Sequence, residues 1–328
     1  MSGQQMNKTA LNIFGAILVA AILVFAAAAR ERNRTWQNVA LFWADNLAKA
    51  TAETQYDPVD GTILPRFLRS RLHGNVGGDL LHAADRLHNA LRSGRTPEHI
   101  DRLWTEWENA IPPEYPERDS WLAKPRNQRD PYEPAEAAFR RSLHDLPTFQ
   151  VAWHNLGLID WQRAVTWPET SEPGRFLAWR AAERFATARR IYEGNRDSFA
   201  LEAVARLRLG DVEAALRAAE AAISLYRQNS GAFPAVLAVE TLLEAAARLG
   251  DAERLEDALS RYPGYVPDAR RRFARLADVA ISLAAEGRAE EALALLDRAE
   301  RDTDIVHPGA RTEILKLNAA NAAPETSE

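Results

Sequence analysis

The chain has 328 residues, of which 46 are acidic, 41 are basic and 7 are histidine, and it contains no cysteine. The absence of cysteine excludes disulfide bridges, thiolate metal sites, iron–sulfur clusters and cysteine nucleophiles. A net charge of −5 offers no electrostatic reason to expect nucleic acid as a partner. The 46% hydrophobic content, with 16 Gly and 17 Pro, is that of a folded chain rather than a disordered or collagen-like one.

An uncharged apolar run lies close to the N-terminus, over residues 9–29. As a helix it would span roughly 31 Å at about 1.5 Å per residue, which matches a hydrocarbon core of about 30 Å. We therefore predict a polar tail over residues 1–10 and a transmembrane helix over residues 11–29, in contact with a lipid bilayer. A cleaved signal peptide is the competing interpretation, because the alanines at 26–29 resemble a cleavage site.

Apolar residues recur at helical spacing through most of the remaining chain, and no alternating strand pattern stands out, so the expected fold class is all-α. Residues 30–130 are predicted to form a helical connector. It begins with an amphipathic stretch over residues 30–54, which presents Trp36, Phe42 and Trp43 largely on one face.

Two shorter helices are predicted later in this connector, at 79–92 and 97–110. Gly77-Gly78 is interpreted as a turn that leads into the first of them, rather than as a phosphate-binding loop. The proline-rich stretch 111–130 is interpreted as a linker. The two helices also have a second interpretation, as a degenerate structural repeat.

From Tyr132 onward the chain shows an internal repeat. Each repeat of this kind has two helices. The spacing expected of a second helix is followed by Tyr132, Ala135, Phe139, Leu143 and Pro147, and the spacing expected of the first helix of the next repeat is followed by Trp153, Leu156 and Gly157. The run PYEPAEAAFRRSLHDLPTFQVAWHNLG resembles the tetratricopeptide repeat (TPR) family. That resemblance implies an α-solenoid of helical hairpins over residues 131–302. A capping helix is predicted at 303–320, and residues 321–328 are predicted to form a polar tail.

Three later turns support the repeat pattern: Gly210-Asp211, Gly250-Asp251 and Gly287-Arg288. Glycine suits the left-handed position after a helix, and aspartate suits the cap of the next helix. The glycines lie 40 and 37 residues apart, more than the usual spacing of about 34 residues, so some loops or helices are longer. In the unit that starts at Trp153, the second-helix residues Ala181, Phe185 and Ala188 lie further along the chain than the usual repeat spacing places them. This offset predicts a protruding loop around residues 165–174.

The resemblance also implies a concave face, built mainly from first helices, that holds a peptide or helix of a protein partner. Projection of the pattern onto this chain predicts the following groove residues: His154, Leu158, Trp161, Gln162, Arg208, Glu240, Glu244 and Arg248. The corresponding positions of the last unit are Ala277, Ile281 and Ala284. They form either an apolar end of the groove or a surface covered by a helix at 311–317.

The chain carries no recognisable catalytic constellation. Its histidines show no i,i+3 or i,i+4 pair, and the sequence has no H-E-x-x-H, P-loop, G-x-G-x-x-G or G-x-S-x-G motif. No catalytic, cofactor or metal site is therefore predicted. The basic cluster at residues 270–275 has two interpretations, a docking site for an acidic peptide or headgroup, or a solvated helix start balanced by Asp268 and Asp278.

A second resemblance follows the apolar run, in RERNRTWQNVALFWADNLAKA. It is similar to the juxtamembrane segment of multi-span mannosyltransferase-type membrane proteins through Arg34, Trp36, Leu41, Trp43 and Asp45. In such proteins the repeats lie outside the cytoplasm, which implies a periplasmic location for the soluble part. The arginines after the apolar run favour the opposite orientation by about one charge.

These observations predict a non-catalytic adaptor or scaffold with TPR-like repeats, anchored by one span in a bacterial inner membrane, with a periplasmic soluble part. An accessory subunit of an envelope polysaccharide or glycan-transfer machine is one alternative. An enzyme whose site lies in residues 55–130 is the other.

Overall fold

The computed structural model describes residues 63–113, 115–228, 235–306 and 308–322. Every regular element within these ranges is helical, so the predicted all-α class is confirmed. Across the same ranges, no helix combines the length and apolar character needed to cross a bilayer. The predicted tail at 1–10, the transmembrane helix at 11–29, the amphipathic stretch at 30–54 and the final residues 323–328 lie outside the described residues.

The chain divides into two compact units, Met1–Ala152 and Trp153–Glu328. In the first, the helices are α1 (Ile63–Arg92), α2 (Pro97–Ala110), α3 (Arg118–Ala123) and α4 (Glu133–Asp145), with a short 3-10 turn at Arg126–Gln128. Helix α5 (Gln150–Ala164) contains the boundary. The second unit continues with α6 (Glu172–Ile191), α7 (Arg196–Arg208), α8 (Val212–Gln228), α9 (Ala235–Leu249), α10 (Ala252–Tyr265), α11 (Ala269–Ala285), α12 (Ala289–Thr303) and α13 (Pro308–Ala322).

The first unit is organised by the packing of α1 along α4. Gly77 lies inside α1, where a Cβ atom would come within 2.8 Å of the fully buried Phe139 ring of α4. The missing side chain therefore lets the two helices approach closely. The interpretation of Gly77-Gly78 as a helix-entry turn is wrong, because α1 is a single helix of 30 residues that passes through both glycines.

The stretch interpreted as a linker, 111–130, is instead packed into the first unit. Trp121 of α3 is only 4% exposed, and the buried indole of Trp107 donates from Nε1 to the carbonyl oxygen of Pro131 at 2.8 Å. Glu108 accepts hydrogen bonds from Arg126 and Arg129 at 2.9 and 2.5 Å, and these bonds hold the stretch against α2. The four prolines break the helical pattern without making the segment a spacer.

The second unit is a solenoid-like stack of helical hairpins. Consecutive helices from α6 to α13 contact one another, and α7, α9, α11 and α13 also form a layer in which each contacts the next. The close approach of α5 and α6 repeats that of α1 and α4, because a Cβ atom on Gly157 would lie 2.7 Å from the buried Phe185 ring. Small residues at the crossings, many of them fully buried alanines, permit such packing.

The predicted turns of the second unit are confirmed. Gly210, Gly250 and Gly287 have φ values of 81°, 68° and 82°, a region that residues with a Cβ atom adopt only with strain. Asp211 and Asp251 cap the helices that follow, accepting from the backbone N–H of residues 214 and 254 at 3.3 and 3.0 Å. A loop also lies where the insertion is predicted, although it ends at Ser171, since Gly174 is already within α6.

Candidate peptide-binding groove

A cavity of about 300 Å³ opens on the layer of first helices in the second unit. The residues that line it come from α5, α7, α9, α11 and the inserted loop: Trp161, Glu169, Val204, Leu207, Arg208, Leu237, Glu240, Thr241, Glu244, Arg248 and Arg275. Helical spacing explains the set on α9, because 237, 240, 241, 244 and 248 follow one face of that helix. The layer formed by every second helix therefore brings residues that are more than 100 positions apart in the sequence onto one wall of the cavity.

Five of the eight predicted groove residues line this cavity, namely Trp161, Arg208, Glu240, Glu244 and Arg248. The other three lie elsewhere. His154 hydrogen-bonds Ser198 Oγ at 2.8 Å and packs against the Phe185 ring, and burial lowers the pKa of its imidazole. Leu158 packs on the cluster around Phe185, and Gln162 is half-buried outside the cavity lining.

Arg208 ties the inserted loop to the cavity wall. Its side chain is only 10% exposed, and Nη2 donates to the carbonyl oxygens of Ala164 and Trp167 at 3.1 and 2.7 Å. The first of these carbonyls belongs to the last turn of α5, where cationic side chains satisfy the helix end. The guanidinium carbon also lies 5.9 Å from the centre of the Trp161 ring.

On the other side of the cavity, Glu244 lies between two arginines, with oxygen–nitrogen distances of 2.6 Å to Arg248 and 2.5 Å to Arg275. Glu240 accepts from the hydroxyl of Tyr262 at 3.1 Å. Burial, followed by the nearby Glu240 carboxylate, raises the pKa of that tyrosine well above its usual range. The cavity thus carries three carboxylates and three guanidinium groups, so its occupant is not selected by net charge alone.

The basic cluster at 270–275 matches neither of its sequence interpretations fully. Arg271 and Arg275 reach back from α11 to Glu240 and Glu244 of α9, at 3.5 and 2.5 Å. Arg272 donates to the carbonyl oxygens of Val266 and Pro267, which anchors the start of its own helix. Sequence reasoning missed Arg275 as a groove residue, although its four-residue spacing from Arg271 places both on one helical face.

Of the three apolar positions of the last unit, two are buried and the third, Ile281, is partly buried. Helix α13 packs on α11, Ala277 and Ala284 are 7% and 0% exposed, and the Asn321 amide donates to the Ala284 carbonyl oxygen at 3.0 Å. Ile314 of α13 is fully buried in the same core cluster. The arrangement corresponds to the capping alternative rather than to an apolar end of the groove.

The described residues contain no group of three or more His, Asp or Glu side chains that could hold a metal ion. Two glutamates, Glu290 and Glu291, are adjacent in sequence, but both are exposed on α12. Comparison with family models gives no match to this sequence, and comparison with curated proteins gives none either.

Proposed function

We propose that this chain is a membrane-anchored adaptor with TPR-like repeats, whose second unit binds a peptide or helical segment of a protein partner without catalysing a reaction. The observation that carries the proposal is the cavity on the layer α7–α9–α11. Its lining combines Trp161 with three ion-pairing arginines and three glutamates, and all of these except Glu169 of the inserted loop are held by helices. Because the groove is formed before binding, most of the conformational entropy lost on binding is lost by the partner.

The chemistry of the lining suits a peptide. Arg208, Arg248 and Arg275 bring guanidinium donors to the lining, and Glu169, Glu240 and Glu244 bring carboxylate acceptors. A peptide main chain offers both carbonyl oxygens and N–H groups, so it can pair with either kind of group. Trp161 and Val204 supply apolar surface beside these donors, as expected for a site that takes both backbone and side chain.

The repeat assignment rests on the sequence pattern that begins at Tyr132 and is supported by the close approach of Gly157 in α5 to the Phe185 ring in α6. The location rests on the apolar run at 9–29: one span in a bacterial inner membrane, with the soluble part in the periplasm. A C-terminal alkaline phosphatase fusion tests the orientation, because that enzyme is active only in the periplasm. An inactive phosphatase fusion together with a fluorescent cytoplasmic reporter fusion would overturn it.

Photocrosslinking of the full-length chain in its native membrane tests the groove. A photoreactive amino acid replaces Trp161 in one variant and Trp179 in a matched control; Trp179 is 49% exposed on α6 and lies outside the cavity lining. We expect a discrete protein adduct from position 161 that is absent from position 179. Equal labelling from both positions, or adducts with lipid only, would contradict peptide binding in the groove.

A further inference from the structure

A second cavity lies in the first unit, separate from the groove, and has a different chemistry. It is open to solvent, has a volume of about 700 Å³ and lies where α1 ends and α2 begins; its lining residues are Arg86, Asn89, Ala90, Arg92, Ser93, Arg95, His99 and Leu103. Three of these side chains are guanidinium groups, and none is a carboxylate. The wall is therefore rich in hydrogen-bond donors and carries excess positive charge.

The positive charge is only partly neutralised by neighbours. Arg86 donates to Glu106 Oε2 at 2.8 Å, so one of the three guanidinium groups has a carboxylate partner. Arg92 and Arg95 are exposed, and neither has an ion-pair partner within the part of the chain that the structure describes. About two positive charges thus remain facing the cavity.

His99 adds a further donor. Arg102 Nη2 lies 2.8 Å from His99 Nδ1, and a guanidinium group can only donate, so Nδ1 accepts. In the neutral imidazole the proton is then on Nε2, which leaves an N–H donor on the other edge of a ring that lines the cavity.

The floor of the cavity is apolar and its rim is fixed by local structure. Ala90 and Leu103 are 5% and 4% exposed. The chain turns through Gly94, at φ 61°, and Thr96 caps α2 by accepting from the backbone N–H of His99 at 3.4 Å. A ligand with several anionic oxygens and an adjoining apolar part would match both surfaces.

We propose that this cavity binds a phosphate-bearing anion, with Arg92 and Arg95 as its principal contacts and Arg86, Asn89 and His99 as additional donors. Arginine recognises phosphate oxygens well because its planar guanidinium group can donate two parallel hydrogen bonds. Three guanidinium groups beside an apolar floor match a diphosphate or a phosphorylated headgroup better than a single inorganic phosphate. The same chemistry is offered by a membrane lipid and by a soluble phosphate compound.

Calorimetric titration of the full-length chain in an uncharged detergent, at constant ionic strength, tests the proposal. The probes are inorganic pyrophosphate, dihexanoyl phosphatidylglycerol and, as a lipid without net charge, dihexanoyl phosphatidylcholine. The test variant is Arg92→Gln with Arg95→Gln. The matched control is Arg270→Gln with Arg301→Gln, which removes two exposed arginines of the second unit and changes the net charge equally.

We expect the test variant to weaken binding of the anionic probe at least tenfold, while the control changes it less than twofold. Tighter binding of phosphatidylglycerol than of pyrophosphate would assign the site to a lipid headgroup, and the reverse order would assign it to a soluble phosphate. The proposal is overturned if neither anionic probe binds, if the two variants lose affinity equally, or if phosphatidylcholine binds as tightly as phosphatidylglycerol. Unchanged circular dichroism of both variants excludes loss of folding as the cause.

Discussion

The neighbouring glycines of α1 offer a sharp test of how the first unit is packed. A Cβ atom at position 77 would lie 2.8, 2.9 and 3.0 Å from Cε1, Cδ1 and Cζ of Phe139, whereas one at position 78 would meet nothing within 4 Å. Both residues are in the same helix, so alanine improves the helix propensity equally at either position. Only the contact with Phe139 distinguishes the two substitutions.

The magnitude follows from that geometry. Gly78→Ala should stabilise the first unit by up to about 1 kcal/mol, the propensity gain alone. In Gly77→Ala the ring would have to retreat to reach the usual carbon–carbon separation of about 3.5–4.0 Å, and because Phe139 is fully buried it would have to retreat into the core. Overpacking of this kind costs about 1–3 kcal/mol, so Gly77→Ala should be destabilising by about 0–2 kcal/mol.

Hydrogen–deuterium exchange of the full-length chain measures the outcome, because the opening free energies of α1 and α4 are read locally and do not require the whole chain to unfold in one step. The two variants should differ by about 1–3 kcal/mol. Phe139→Leu should reduce the cost of Gly77→Ala, as expected for residues in contact. Equal effects of the two alanines, or a loss of stability in Gly78→Ala, would refute the continuous helix and restore the turn interpretation.

Three further predictions concern other parts of the fold. Asp160→Ala should destabilise the second unit by about 3 kcal/mol in urea unfolding, because it removes a fully buried carboxylate that Arg180 and Arg184 contact at 2.5 and 2.7 Å. Ile314→Ala should cost about 2–5 kcal/mol locally and speed proteolysis of α13, since this side chain is fully buried. The pKa of His73 is lowered to about 4 by burial and then by the neighbouring arginines, so its contribution to the stability of the first unit should be constant above pH 6.5 and fall as the pH drops from 6.5 to 4, by at most about 3 kcal/mol.

Each of these has its own control. Glu213→Ala removes an exposed ion pair with Arg217 and should change stability by less than about 0.5 kcal/mol; a loss as large as that of Asp160→Ala would remove the argument from burial. Leu315→Ala, at a side chain that is 51% exposed, should leave proteolysis of α13 unchanged. For the histidine, His73→Asn should make the stability of the first unit fall less steeply between pH 6.5 and 4; part of the slope remains because burial also lowers the pKa of His88. An unchanged slope would contradict the assignment to His73.

The repeats of the second unit were predictable because their signals are local. A glycine that ends one helix and an aspartate that caps the next lie side by side at 210–211 and at 250–251, and the apolar spacing of each helix needs only its own residues. The first hairpin was not predictable in this way. Its two helices, α1 and α4, are separated by residues 93–132, so Gly77 and Phe139 do not fall within one repeat length.

The groove shows the same distinction. Projection of the repeat pattern, as the TPR resemblance implied, predicted Trp161, Arg208 and the α9 residues for a common groove, and the structure brings them to one cavity. The projection did not find Glu169, which lies in the inserted loop. It also assigned His154 to the groove, whereas the neighbouring Ser198 and the Phe185 ring hold that side chain in the helix interface.

The sequence by itself determined an all-α chain with a series of hairpins, because its apolar residues recur at the helical period. Its lack of cysteine excluded disulfides and thiolate chemistry. These are properties of residue type and of spacing along one element. Tertiary structure decided that the proline-rich stretch at 111–130 is packed, that α13 covers the last unit, and that the Arg92 and Arg95 side chains share a cavity. Those outcomes depend on which surfaces meet after the chain folds, and no spacing within a single helix encodes that.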